Sequence, residues 1–248
     1  MGNGGGKVED VERIRLGRWT KGEVDRVLSE LSEIHDAGGR IALISSRFIG
    51  VPYAEGTLTG NSETPEVFTI NLAEVDCFTY LDYVEAMRLS TSFEDFREAL
   101  RRIRYRGGRV DFFRRNHFFS DWREANRRSV ADVTRDIAGG RARLVTKVLN
   151  LKEDGTAFLP GIKEHRRRLS YLPSAYVPEV IDRFVTGDYA GIYTENPGLD
   201  VSHTGIIVRR ADRTLLRHAS SLKRKVIEED LAGYVATKPG LIILRPRP

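Results

Sequence analysis

The chain has 248 residues, 40% of them apolar and 30% charged, with a formal net charge of +5 and a pI near 9.4. This is the balance of a soluble globular protein, long enough to bury a sizeable core in one or two domains. No run approaches the roughly 18 apolar residues of a membrane span, and the single cysteine, Cys77, excludes an intramolecular disulfide.

The Gly-rich opening has no apolar core of a signal peptide, so either the protein stays in the cytoplasm or an export signal has been removed. Residues 1–19 are expected to be disordered or extended, and residues 20–248 to form one domain with helical insertions. Thr20-Lys21-Gly22-Glu23 reads as a capping box. Val24, Val27, Leu28, Leu31 and Ile34 then trace one helical face. Gly38-Gly39 is expected to end that helix, with His35 near its C-terminus, structural or solvated. Residues 40–49 read as a second helix, stopped by Gly50-Val51-Pro52-Tyr53, because proline disfavours helix in the residue before it. Residues 54–65 read as a long loop of the kind that lines sites, and residues 66–72 as a short strand.

Cys77 then opens a helix that Asp76 or a neighbouring backbone group could cap, with Phe78, Leu81, Val84 and Met87 recurring along it. Ser92 and Asp95 open the next helix, which Gly107-Gly108 closes. The run from Asn116 through His117 to Trp122 is an aromatic cluster around one histidine. Residues 123–137 have weak helical character, and residues 142–151 alternate as a strand. Residues 155–170 read as a loop in which His165 is solvated. Residues 178–185 read as a short helix and 188–195 as a strand. Residues 201–208 and 214–221 read as a β-hairpin about a turn at 210–213. A short helix over 229–236 and a strand over 241–244 complete the chain. Helices first and antiparallel strands later suggest an α+β protein.

Of the 40 cationic side chains, 32 are arginines, clustered around residues 101–109, 114–115, 127–128 and 166–168. Such clusters suit phosphate binding. Because 35 acidic residues are interleaved with them, they read better as solvated surface than as a nucleic-acid footprint. An Arg-rich nucleic-acid-binding module is the alternative from a different functional class.

A thiol in the first turn of a helix sits at the positive end of the macrodipole, which favours the nucleophilic thiolate. A cysteine nucleophile needs a base and a group to orient that base. His203 and His218 lie on the two strands of the hairpin, nearly equidistant from a turn centre at residue 211. That makes them near cross-strand neighbours on one face. The first would pair with the thiolate and the second would hold its far ring nitrogen. No cluster of carboxylates or thiols completes a zinc shell around them, and no cofactor is expected.

The pattern Gly50-Val51-Pro52-Tyr53, Asp76-Cys77, His203-Thr204-Gly205-Ile206 and His218 resembles the NlpC superfamily of papain-like cell-wall hydrolases. That superfamily usually has Ser-Gly after the cysteine, where this chain has Phe78-Thr79. This departure, the Gly56-Thr57-Leu58 stretch, the cluster from Asn116 to Trp122 and the run His218-Ala219-Ser220-Ser221 resemble its N-acetylmuramoyl-L-alanine amidase-like branch. The resemblance covers about residues 40–245.

It implies a papain-like α+β fold, an antiparallel sheet with the nucleophile at a helix N-terminus packed against it. It implies hydrolysis of the amide between N-acetylmuramic acid and L-alanine in muropeptides or peptidoglycan, through a thioester on Cys77. His203 would act as base and acid, and His218 would orient it. Tyr53 and backbone groups near Asp76 would bind the oxyanion. His117 and Trp122 would line a sugar subsite, and Ser202 and Ser220 flank the histidines as further substrate-binding candidates. The alternative within the superfamily is an endopeptidase cutting between D-glutamate and the diamino acid. The resemblance also implies a place in the cell envelope or periplasm.

Overall fold

The structure, a computed structural model, describes residues 12–248. The Gly-rich opening lies outside the described residues. In chain order the elements are β1 (Glu12–Arg15), α1 (Lys21–Ser32), α2 (Ala37–Ser46), β2 (Phe68–Asn71), α3 (Cys77–Arg88) and α4 (Phe93–Arg104). There follow α5 (Phe119–Ala125), β3 (Val130–Asp132), α6 (Thr134–Ala138), β4 (Arg143–Leu149), β5 (His165–Pro173) and α7 (Val177–Val180). The last part holds β6 (Tyr189–Tyr193), β7 (Val201–Arg210), β8 (Arg213–Ser220), β9 (Lys225–Asp230), α8 (Leu231–Val235) and β10 (Gly240–Pro246).

The fold is mixed α+β around an antiparallel sheet in the order β4-β5-β10-β6-β7-β8-β9, with β3 also on β10. β1 and β2 form a separate parallel pair. The pleat of the large sheet sorts its side chains into two cores. Ile206, Val208 and Ala219 face the core that contains α3, whereas Ile207, Leu216 and Ile192 face the one covered by α8.

Local signals set the helix starts. Thr20 and Glu23 form a reciprocal capping box on α1, and Ser92 caps α4 through Asp95 N–H. α3 is buried along nearly its whole length, with both aromatic and charged residues inside. Its charges survive there because each is paired. Asp82 accepts from Arg104 at 2.8 Å and from the Trp122 indole at 3.0 Å. Glu85 binds Arg88 at 2.7 Å and Tyr189 at 2.6 Å. The segment Gly50 to Tyr53 runs along the outer edge of β9. Gly50 N–H donates to Val226 O at 2.9 Å, Val226 N–H to Val51 O at 2.9 Å, and Tyr53 N–H to Arg224 O at 2.9 Å.

Several elements differ from the sequence expectation. Gly38-Gly39 lies in the first turn of α2, where the Asp36 side chain takes Gly39 N–H at 2.6 Å. Val130–Asp132 is a strand where weak helix was expected, because Leu244 to Pro246 offers it a partner edge. His165–Pro173 is a strand on β4, not a loop. Residues 229–236 divide between the end of β9 and α8, which Asp230 caps through Gly233 N–H.

Candidate active site

Asp76 is the N-cap of α3 and Cys77 its first residue. One Asp76 carboxylate oxygen accepts from Phe78 N–H at 2.9 Å and Thr79 N–H at 2.7 Å, and Thr79 returns its hydroxyl to Asp76 N–H at 3.0 Å. The cap therefore consumes the first-turn donors and leaves the Cys77 N–H outside its bonds. Thr57 adds a longer contact to Asp76, at 3.4 Å. The Asp76 carboxylate thus shapes the helix start that presents the backbone groups expected to bind the oxyanion.

Thr204 joins this helix to the sheet. Its hydroxyl donates to the Cys77 carbonyl at 2.8 Å. The next residue back along β7 is His203, which points to the opposite face, toward α8. His203 Nε2 lies 2.7 Å from His218 Nδ1, with the ring planes at 90°. His218 Nε2 in turn lies 2.7 Å from Glu229 Oε2. Tyr234 of α8 packs on both imidazoles, with centroids 6.2 Å from His203 and 5.0 Å from His218.

The β7–β8 register sets Ile206 opposite Arg217 and Arg210 opposite Arg213. The turn centre thus falls between Ala211 and Asp212, and the two histidines meet diagonally rather than directly across. Gly205 makes that diagonal contact possible. A Cβ on Gly205 would stand 3.0 Å from His218 Cβ and 2.7 Å from Leu216 Cδ1.

Electrostatics at rest oppose the thiolate expected from the helix dipole. Burial, then the Asp76 carboxylate, push the Cys77 thiol up to about 11, against the pull of hydrogen bonds from Thr204. Burial, then His218 and Lys238, push His203 down to about 3. Burial also lowers His218, although Glu229 draws it the other way. The resting site therefore holds a neutral thiol and neutral imidazoles. Among the described residues, neither imidazole is hydrogen-bonded to the Cys77 sulfur: His203 Nε2 is engaged with His218 and His218 Nε2 with Glu229, and catalytic hydrogen bonds often tighten only once substrate binds. Burial above all raises the hydroxyl of Tyr53, and burial followed by the Glu229 carboxylate raises that of Tyr234. Tyr53, pushed up to about 12, keeps its hydroxyl proton.

A cavity of about 410 Å³ opens beside the histidines, lined by Ser202, His203, His218, Ser220, Glu229 and Tyr234 among others. Ser202 is exposed at its mouth. Ser220 spends its hydroxyl oxygen on Lys223 N–H at 3.1 Å, closing the turn after β8. The other expected ligand-binding residues lie elsewhere. Trp122 is 0% exposed and bonded to Asp82, so its ring is core and offers no face to a sugar. His117 lines a different cavity of about 470 Å³, with Phe112, Arg115 and Pro160. Its Nε2 is 2.8 Å from Phe112 O, and burial, then Arg115, lower it to about 4. His165, expected to be solvated, bonds Asp121 through Nε2 at 3.0 Å. Sequence reasoning missed Glu229, Tyr234 and Thr204. The only trace of Glu229 was the acidic run Glu228-Glu229-Asp230. Among the described residues no group of three or more His, Cys, Asp or Glu side chains is arranged to hold a metal ion.

A family model described as N-acetylmuramoyl-L-alanine amidase-like matches residues 43–241. Among solved structures, an N-acetylmuramoyl-L-alanine amidase from Bacteroides uniformis is similar at 28% identity and a TM-score of 0.72, over 86% of this chain and 99% of that one. A Legionella pneumophila protein of family DUF1460 shares the fold, with a TM-score of 0.79 at 23% identity over 92% and 94% of the two chains. No curated protein matches.

Proposed function

Since the chain belongs to the N-acetylmuramoyl-L-alanine amidase-like family, we propose that it is a cysteine amidase cutting the amide between N-acetylmuramic acid and L-alanine in muropeptides. The observation that carries this reading is the junction at Thr204. Its hydroxyl holds the Cys77 carbonyl at 2.8 Å, while its chain neighbour His203 is bonded to His218 at 2.7 Å. We place this arrangement in the papain-like NlpC class, supported by a nucleophile helix seated on an antiparallel sheet that carries the histidines.

In the first step the Cys77 sulfur attacks the lactyl carbonyl as its proton passes to His203. Starting from neutral partners, the proton moves during attack. We assign the Cys77 N–H and the Tyr53 hydroxyl as the donors to the oxyanion. His203 then gives its proton to the L-alanine nitrogen, the C–N bond breaks, and a thioester remains. Water adds to the thioester with His203 again as base, and the sulfur leaves and regains its proton. The cavity beside the histidines, with Lys238 at its rim, receives part of the substrate. Its hydroxyls and cation suit a peptide stem bearing carboxylates. We propose the cell envelope as the place of action. Among the described residues no helix is long and apolar enough to cross a membrane.

The test is incubation of purified protein with a muropeptide, followed by mass analysis of the products. Free sugar and an intact stem are expected, and Cys77→Ala should abolish them while leaving the fold unchanged. A severed stem would identify an endopeptidase instead. Full turnover by Cys77→Ala would remove the sulfur from the chemistry.

A further inference from the structure

Each ring nitrogen of the two histidines has a choice that the imidazoles alone do not settle. A single hydrogen bond joins His203 Nε2 and His218 Nδ1. Either ring can supply its proton, and the bond is equally good both ways. The outcomes differ where it matters. If His203 Nε2 carries the proton, His203 Nδ1 is bare and able to act as a base. If His218 Nδ1 carries it, neutral His203 holds its proton on Nδ1 and is spent before reaction begins.

The third strand breaks this tie. Glu229 Oε2 lies 2.7 Å from His218 Nε2, and an ionised carboxylate only accepts. His218 Nε2 must therefore donate. In a neutral ring that leaves Nδ1 bare, so it accepts from His203 Nε2–H. We propose that Glu229 is a positioning residue, which sets both tautomers so that His203 presents an unprotonated Nδ1. The proposal rests on reading His203 as the base of the amidase reaction.

The fold supports a built relay. In β8–β9, His218 faces Ile227 and Leu216 faces Glu229. Continuing the β7–β8 register sets Gly205 opposite His218 and His203 opposite Ser220. The chain His203–His218–Glu229 thus descends two residues per strand, in a straight diagonal across β7, β8 and β9. All three side chains project to the α8 face. The other charged or titratable groups around them are Tyr234, whose hydroxyl stays protonated, Lys238 and Cys77. None of these competes as an acceptor for His218 Nε2.

The imidazole nitrogens report the arrangement directly in the resting protein by nitrogen-15 NMR, with no substrate present. The expected wild-type spectrum has a bare Nδ1 and a protonated Nε2 on His203. Glu229→Ala should redistribute both rings between tautomers, and Glu229→Asp should restore the wild-type pattern. A protonated Nδ1 on wild-type His203, or unchanged tautomers in Glu229→Ala, would overturn the proposal. These readings decide it even if the muropeptide proves to be the wrong substrate. With an active substrate, Glu229→Ala should lower kcat by on the order of 100-fold or more with little change in KM, as for other wrong-tautomer variants. Wild-type kcat in a variant whose tautomers have shifted would also overturn it.

Discussion

Iodoacetamide is expected to label Cys77 more slowly in the folded protein at pH 7 than in the same chain unfolded in urea. Burial and the Asp76 carboxylate carry the thiol from its ordinary 9.0 up to about 11. That rise cuts the thiolate fraction at neutral pH about 100-fold. A more basic thiolate is also a better nucleophile, which restores about a factor of 10. The net expectation is labelling slower by roughly 10-fold, before any shielding of the sulfur. Timed quenching and intact-mass measurement from pH 6 to 10 give both the rate and its midpoint. A folded-state midpoint below about pH 8 would mean that a thiolate–imidazolium pair already exists at rest. The account of proton transfer during attack would then be wrong.

Acid should destabilise the fold through its buried imidazoles. His203 is lowered to about 3 and His117 to about 4, chiefly by burial, so the unfolded chain binds protons first as pH falls below about 6.5. Stability should decline from there toward pH 4, and equal urea midpoints at pH 7 and pH 5 would refute it. Lys238→Met should raise the proton-binding pH of His203 while leaving it below the ordinary value, because burial and His218 remain; an unchanged NMR titration would contradict this. Arg104→Met strands the buried Asp82 carboxylate and should cost about 3–5 kcal/mol in urea unfolding. A loss under about 1 kcal/mol would mean that Asp82 accepts a proton without penalty. Gly205→Ala should cost about 1–3 kcal/mol and most of the activity by forcing His218 aside, and wild-type behaviour would show that the space is not needed.

Sequence legibility followed how local each cause was. The Asp76 cap and the helix at Cys77 depend on a few adjacent residues, and both were readable. The hairpin was readable because its strands are apolar and its turn is short. β5 was not, since Arg166 and Arg168 face solvent while Arg167 reaches inward to Asp121. Its alternation is one of ion pairing rather than hydropathy. Trp122 looked like a ligand face because nothing adjacent reveals Asp82, which lies 40 residues away. Glu229 escaped for the same reason: its partner stands on a neighbouring strand, and only the register delivers it. The expectation of an acidic thiol took the helix dipole as decisive, where burial and the neighbouring Asp76 carboxylate outweigh it.

The main-chain bonds between the Gly50–Tyr53 segment and β9 have a bearing on life in a crowded solution. A bare terminal strand invites a second molecule to extend the sheet, the first move toward fibrils. Here the protein's own backbone already occupies that rim. The same stitch anchors Tyr53, so peeling this segment away would at once expose a sticky border and unseat its phenol.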